Sequence, residues 1–367
     1  MSTAIIGLAA SGKTTIFNAL TRGSVDKGLY GAAKPVNIGV GAKPDARLDY
    51  LDTAFAARRK VRAEMTFWDM PVDYSAGAIL PRETVNSLQK AKALLAVVRK
   101  FEDPATPHPD GKVDWIRDLG KLTFEILFAD IALIDRRVER VESGIKAMKS
   151  AERVQAVANI EALQRVQSGL EDGTPIRSLQ LDEAQARVIT NTFVLSALPL
   201  VIAVNVGEDE IGLSADDLKS EAVQNLGETV IDCETQLVPI CGTIEQELRG
   251  MDDDEAAELR ADLGIKRDDA EVLMDASLRC LNTQTFYTAS DREVRAWHFP
   301  AGASAPQAAG LVHSDMERGF IRAEVVAYDD FLRCGSMLEA RKQGLLRQEG
   351  KSYTFADGDM ANFLFSV

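Results

Sequence analysis

The run Gly7-Leu8-Ala9-Ala10-Ser11-Gly12-Lys13-Thr14, followed by Thr15, constrains this chain more than any other stretch. It fits G-x-x-x-x-G-K-[ST], a spacing suited to a strand–loop–helix turn wrapped around phosphate. Gly7 and Gly12 let the backbone turn where a Cβ would collide. The amides of Ala9, Ala10, Ser11, Gly12, Lys13, Thr14 and Thr15 then converge as an anion nest at a helix start. Lys13 brings a compact positive charge to the β- and γ-phosphates, which makes it the candidate catalytic group. The Thr14 hydroxyl is placed to ligate Mg²⁺. Both flanks agree with this geometry: Ala4-Ile5-Ile6 is a short apolar strand, and Thr15 to Leu20 continues as an amphipathic helix.

Apolar runs further on extend the same architecture. Val61, Ala63, Met65 and Phe67 alternate as a strand with Trp68-Asp69 at its end. An Asp there, after a phosphate loop, is positioned to face Mg²⁺, although a lone Asp after a strand also serves as a turn residue. Leu94 to Val98, Leu200 to Val204 and Leu237 to Ile240 are further buried strands. Separated by helical stretches, they predict an α/β fold with a parallel sheet covered on both faces. Leu48 to Arg59 is expected to be helical. Thr21 to Asp45, rich in Gly, Ala, Lys and Pro, reads as a mobile loop over the phosphates.

Between two of the core strands lies a helical insertion. Leu127, Ile131, Ile134, Val138, Val141, Ile145 and Met148 recur in steps of four and three, an a/d seam with Arg136, Arg137, Glu139, Arg140 and Glu142 outside it. Val157, Ile160, Leu163, Val166 and Leu170 share one side of a second helix. The two should pack as an antiparallel hairpin joined near Lys149 to Arg153, either a structural arm or a partner-binding surface. From about Gln284 short strands alternate with turns, including Glu293 to Phe299, Ile321 to Val326, Ser352 to Phe355 and Asn362 to Phe365. They predict a small α+β module.

With 367 residues, two or three domains are the natural expectation. The phosphate-loop strand starts next to Met1, which leaves no room for a cleaved leader. No run of about twenty apolar residues occurs, so no membrane span is expected. Cys233, Cys241, Cys280 and Cys334 lie far apart without metal-ligand spacing, as reduced thiols of a cytoplasmic protein would. A net charge of −14 argues against a chain that coats nucleic acid.

The order of these features closely resembles the Obg-like ATPase (YchF) family of translation-associated P-loop NTPases. Supporting phrases are Asn37-Ile38-Gly39-Val40 with Pro44-Asp45-Ala46-Arg47-Leu48, Val97 to Asp103, Glu293 to Trp297, Ala305 to Gly310 and Glu317 to Glu324. The resemblance covers essentially the whole chain. It implies a Ras-like nucleotide domain over 1–118 and 195–282, an inserted helical coiled-coil arm over 119–194, and a C-terminal β-grasp (TGS) domain over 283–367. It also implies a ribosome or ribosome-associated factor as partner, and a monomer is expected.

Base choice follows from the residues after the strand ending near Val204. Ordinary GTPases carry Asn-Lys-x-Asp there, whose Asp accepts from guanine N1 and N2. This chain has Asn205, Val206, Gly207 and Glu208. An Asn amide can serve both N6 and N7 of adenine. The family with Asn-x-x-Glu prefers ATP, a preference the resemblance places on Asn205 and Val206, with GTP as the lesser option and Mg²⁺ held by Thr14 and Asp69. The chain also departs from the family. Met70, Pro71 and Val72 stand where Asp69 should be followed by x-x-Gly, and Asp73 to Glu83 lacks the family's Gly-rich pattern. Ala33 stands where a switch Thr is expected, and Cys241-Gly242-Thr243 replaces Ser-Ala-Lys. His108, His298 and His313 lie away from the phosphate motif. Two activities follow from this pattern: a slow ATPase, or a nucleotide-binding scaffold that hydrolyses little or nothing.

Overall fold

A computed structural model of the protein describes residues 2–23, 25–27, 36–70, 80 and 82–366. The expectations for Ala33, Pro71, Val72 and most of 73–83 fall outside them. Numbered along the chain, the first strands are β1 Ser2–Gly7, β2 Val25–Lys27, β3 Asn37–Gly41, β4 Lys60–Val61, β5 Met65–Asp69, β6 Ala93–Arg99, β7 Leu200–Asn205 and β8 Gln236–Ile240. The C-terminal part adds β9 Thr283–Ala289, β10 Val294–Pro300, β11 Phe320–Ala327, β12 Arg347–Glu349 and β13 Asp359–Phe365.

Seven strands form one sheet in the order β2-β3-β5-β1-β6-β7-β8. The pairs β1–β5, β1–β6, β6–β7 and β7–β8 are parallel. Every residue of β6 and β7 is buried, the reason these strands read as unbroken apolar runs in place of alternation. Parallel pairing brings their C-terminal ends to one edge, where Gly7 lies beside Val97, and Arg99 beside Asn205. The stretch expected to be loop from Thr21 to Asp45 carries two strands instead. Val25–Lys27 pairs antiparallel with Asn37–Gly39 at the sheet margin.

Two compact units emerge, one formed by residues 2–39 and 66–280, the other by 40–65 and 281–367. In the first, the insertion is a helix Trp115–Gly144, a 3₁₀ turn Ile145–Ala147 and a helix Ser150–Glu171. The first helix begins where the Asp114 side chain accepts the Arg117 amide. The turn therefore precedes the expected Lys149 to Arg153, because Lys149 already caps the second helix. Leu127, Ile134, Val138, Ile160, Leu163, Val166 and Leu170 share a buried cluster, with Ile131, Val141 and Ile145 partly buried against it. Met148, just past the 3₁₀ turn, and Val157 are the expected seam residues outside that cluster. Val157 lies on the second helix. It is 42 % exposed, while Ala156 beside it is buried.

The second unit holds a six-stranded sheet ordered β12-β11-β13-β9-β10-β4. Phe286 stands at its centre with Trp297, Phe299, Phe355 and Phe363 around it. Ser352 to Phe355 is not a strand; Thr354 makes one isolated bridge to Ser304. Residues 40–65 belong to this unit, whereas the sequence placed all of 1–118 with the nucleotide domain. The reason is packing. The helix Ala46–Phe55 buries Leu48 and Leu51 in a cluster with Tyr287, Val326 and Phe331. β4 pairs with β10, and the Tyr287 hydroxyl donates to Asp45 at 2.7 Å. That helix stops at Phe55, short of Arg59, with Ala56 in the left-handed region at φ 46°.

Candidate functional site

The phosphate loop links β1 to the helix Lys13–Thr21. Gly12 precedes that helix at φ 88° without a side-chain cap, so the first helical amides keep their hydrogens for another acceptor. Added carbon would not fit at either glycine. A Cβ on Gly7 would lie 2.4 Å from the Val97 carbonyl oxygen, and one on Gly12 would lie 2.1 Å from Asn205 Nδ2. Ala10 also takes left-handed backbone, at φ 56°. Lys13 Nζ donates to the carbonyls of Leu8 at 2.8 Å and Gly7 at 3.2 Å. Burial lowers its pKa from 10.5 to about 8, with the Asp69 charge pulling the other way.

Thr14 Oγ1 donates to Asp69 Oδ2 at 2.9 Å, and Asn37 Nδ2 donates to the same oxygen at 3.3 Å. Asp69 is the last residue of β5 and is buried. A hydroxyl and a carboxylate side by side are hard oxygen donors, the kind Mg²⁺ takes.

Asn205 ends β7 and is 4 % exposed. Its Nδ2 donates to the Ser11 carbonyl at 3.0 Å, and its Oδ1 accepts the Gly242 amide at 3.0 Å. The carboxamide thus ties the phosphate loop to the start of the helix Gly242–Gly250 after β8, and one N–H and one lone pair remain for a ligand. A cavity of about 660 Å³ opens beside it, lined by Gly12, Thr15, Lys100, Phe101, Asp103, Asn205, Val206, Glu208 and Thr243 among others. That volume falls within the range of small-molecule sites. Val206 is buried, its amide bonded to the Ile240 carbonyl at 3.0 Å. Of the expected site residues, Gly12, Thr15, Asn205 and Val206 line this cavity. Lys13, Thr14 and Asp69 meet at the phosphate loop beside it.

A "Ribosome-binding ATPase YchF" of Bacillus subtilis is 33 % identical over 371 residues, spanning 100 % of both chains. The proteins of that name from Pasteurella multocida and Escherichia coli O157:H7 are 34 % and 33 % identical, over 99 % of this chain and 98 % of theirs. The chain belongs to the YchF family. Residues 283–366 match the YchF-GTPase C-terminal family model, described as "Protein of unknown function (DUF933)". The solved "Structure of the Schizosaccharomyces pombe YchF GTPase" matches with TM-score 0.84 at 25 % identity, over 99 % of this chain and 97 % of that one. The fold is accordingly the mixed α/β YchF fold: a Ras-like P-loop part with helical and C-terminal parts.

The structure adds residues to this YchF site that the sequence reading did not assign. Lys100, whose Nζ pairs with Glu210, and Phe101 and Asp103 come from the loop leaving β6. Thr243, in the Cys241-Gly242-Thr243 run that the sequence singled out, lies at the start of the helix Gly242–Gly250 after β8. The available signal was position, since residues just past the C-terminal end of a parallel strand sit on the binding edge. The larger cavity, about 900 Å³ beside Arg177, Lys219 and Cys280, contains none of the motif residues.

His108, Asp110 and Asp118 place potential ligand atoms within 4.8 Å of one another. Their bonding serves the loop instead. The Asp110 amide donates to His108 Nδ1 at 3.1 Å, which leaves the proton on Nε2 to donate to Asp118 at 2.8 Å. Arg117 and Lys121 balance the two carboxylates. His313 accepts the Asp315 amide at the start of a short helix. Among the described residues no helix is long and apolar enough to cross a membrane.

Proposed function

We propose that this chain binds Mg-ATP and hydrolyses it slowly in association with ribosomes. The observation that carries the reading is the hydrogen bond from Thr14 to Asp69, which joins the phosphate motif to a carboxylate 55 residues away. The site fits the groups it would hold. A nucleotide's phosphates would take the amides from Ala9 to Thr15, and its base would enter the cavity at Asn205 and Val206. Thr14 and Asp69 would hold Mg²⁺, which supplies charge neutralisation between the β- and γ-phosphates. A buried Ser11 hydroxyl without a protein partner sits in the same loop. Adenine is preferred over guanine because Val206 and Glu208 stand where guanine readers place Lys and Asp. Lys13 stabilises the charge that develops on the transferred phosphoryl group.

Ribosome association, and with it a cytoplasmic place, rests on the names of the full-length relatives, whereas a monomer is our reading of the sequence alone. The three-part division into nucleotide domain, arm and TGS-like module is also our reading. A scaffold with little hydrolysis is the second reading, favoured by Pro71, which has no N–H, and by Val72, which lacks the freedom of the glycine that the family uses to sense the γ-phosphate. Phosphate release from Mg-ATP, measured on wild type and Lys13→Ala, separates the two. Release that depends on Lys13 is expected, and equal rates would leave only the scaffold. Co-sedimentation with ribosomal subunits should carry the protein into the pellet; protein left in the supernatant with and without ATP counts against association.

A further inference from the structure

Arg99 is among the largest fully buried side chains in the described structure, at 1 % exposure. It ends β6, on the edge where the phosphate loop and the cavity meet. No carboxylate among the described residues forms an ion pair with it. Instead its donors go to three backbone carbonyls. Nε donates to Phe101 at 3.0 Å, and one terminal nitrogen donates to Thr106 at 2.9 Å and to Ala10 at 3.4 Å. The guanidinium also lies over the Phe101 ring, 4.5 Å from its centroid.

These partners belong to two different parts of the site. Ala10 is the non-glycine residue in left-handed backbone within the phosphate loop. Phe101 lines the cavity, and Thr106 continues the same loop after β6. Turning a carbonyl toward Arg99 turns its peptide's dipole, so the capture of the Ala10 oxygen favours a Ser11 amide that faces away from Arg99. A buried charge without a carboxylate is costly to keep. Its value here is that a planar guanidinium fork holds carbonyls of both parts at fixed angles, where the ammonium of a lysine, on a flexible stem, would hold them less rigidly. A positive charge fixed behind the loop further favours an anion in front of it.

We propose that Arg99 is the positioning residue that sets the phosphate loop and the base-side loop in register, and so makes polyphosphate affinity depend on which base is bound. This rests on the nucleotide-binding reading above. Arg99 touches no reacting atom in that scheme; it acts through Ala10 and Phe101.

ATP and GTP are titrated in Mg²⁺ against wild type, Arg99→Lys and Arg99→Met, each checked for folding by thermal unfolding without nucleotide. Arg99→Met should raise the Kd for ATP at least tenfold and narrow the ATP-to-GTP affinity ratio at least threefold. Arg99→Lys should recover part of the affinity through its charge but not the ratio, because it lacks the fork. A folded Arg99→Met with both quantities within twofold of wild type overturns the proposal. If Arg99→Met does not fold, Arg99→Lys decides, and an unchanged ratio overturns it. Wild type that binds neither nucleotide defeats the nucleotide reading itself, whereas wild-type binding with unchanged variants defeats only the role of Arg99.

Discussion

At the scale of single residues, Asn205 and Lys13 show how a motif side chain is held before it meets a ligand. Asn205→Ala removes two buried hydrogen bonds and leaves the Ser11 carbonyl and Gly242 amide without that partner. A loss of about 1–3 kcal/mol in stability is expected, read from denaturant unfolding. ATP affinity should fall at least tenfold in the same variant. Lys13 gives a pH test. Its pKa is about 8 when folded against 10.5 as the reference. Between those values the unfolded chain holds a proton that the folded chain has shed. Stability without nucleotide therefore carries a contribution that is complete above pH 10.5 and lost as pH falls through about 8. Lys13→Met should remove this slope, which unfolding midpoints at pH 7.5 and 9.5 would show. The phosphate loop was readable because its glycines and lysine act through local backbone geometry. Arg99 was not, because its partners are carbonyls, and every residue type supplies one.

At the scale of elements, the arm is anchored by a buried carboxylate. Asp130, 0 % exposed on the first arm helix, accepts the amides of Leu195 and Ser196, each at 2.7 Å. Burial raises its pKa from 3.8 to about 6, against the pull of those hydrogen bonds. Between about pH 4 and 6 the folded chain keeps a proton the unfolded chain has released. Asp130's titration thus contributes stability that is whole below about pH 4 and lost as pH rises through 6. Asp130→Asn points an NH₂ at a donor and should cost about 2 kcal/mol or more. Its deficit should be smaller at pH 6.5 than at pH 4.5 in parallel denaturant titrations. The seam between the helices offers a sharper contrast. Leu163→Ala should cost about 2–5 kcal/mol, whereas Val157→Ala should stay within about 0.5 kcal/mol because Val157 is exposed and outside the buried cluster. Periodicity found the two helices. It misplaced Val157 because a template of large apolar residues passes over a small one, and Ala156, one turn before Ile160, is the residue buried there.

At the scale of the whole molecule, the sheet's chain order hid where residues 40–65 belong. An amphipathic helix announces that its apolar face will be covered, not which core covers it. Here Leu48 and Leu51 are buried in the cluster of the C-terminal unit. A fragment of residues 281–367 alone would leave that cluster open. It should bind a hydrophobic dye and show poorly dispersed amide signals, and adding a peptide of residues 40–65 should reverse both. A well-dispersed fragment indifferent to the peptide would show that the helix is dispensable to that core.

The polypeptide crosses between its two units after Gly39, after Met65 and after Cys280. A single gene break therefore cannot lift the C-terminal unit out intact. Recombination that grafted residues 281–367 onto another protein would leave behind a helix and a strand that its core requires. Such a unit should be inherited together with its nucleotide partner, and not traded between proteins as a free-standing cassette.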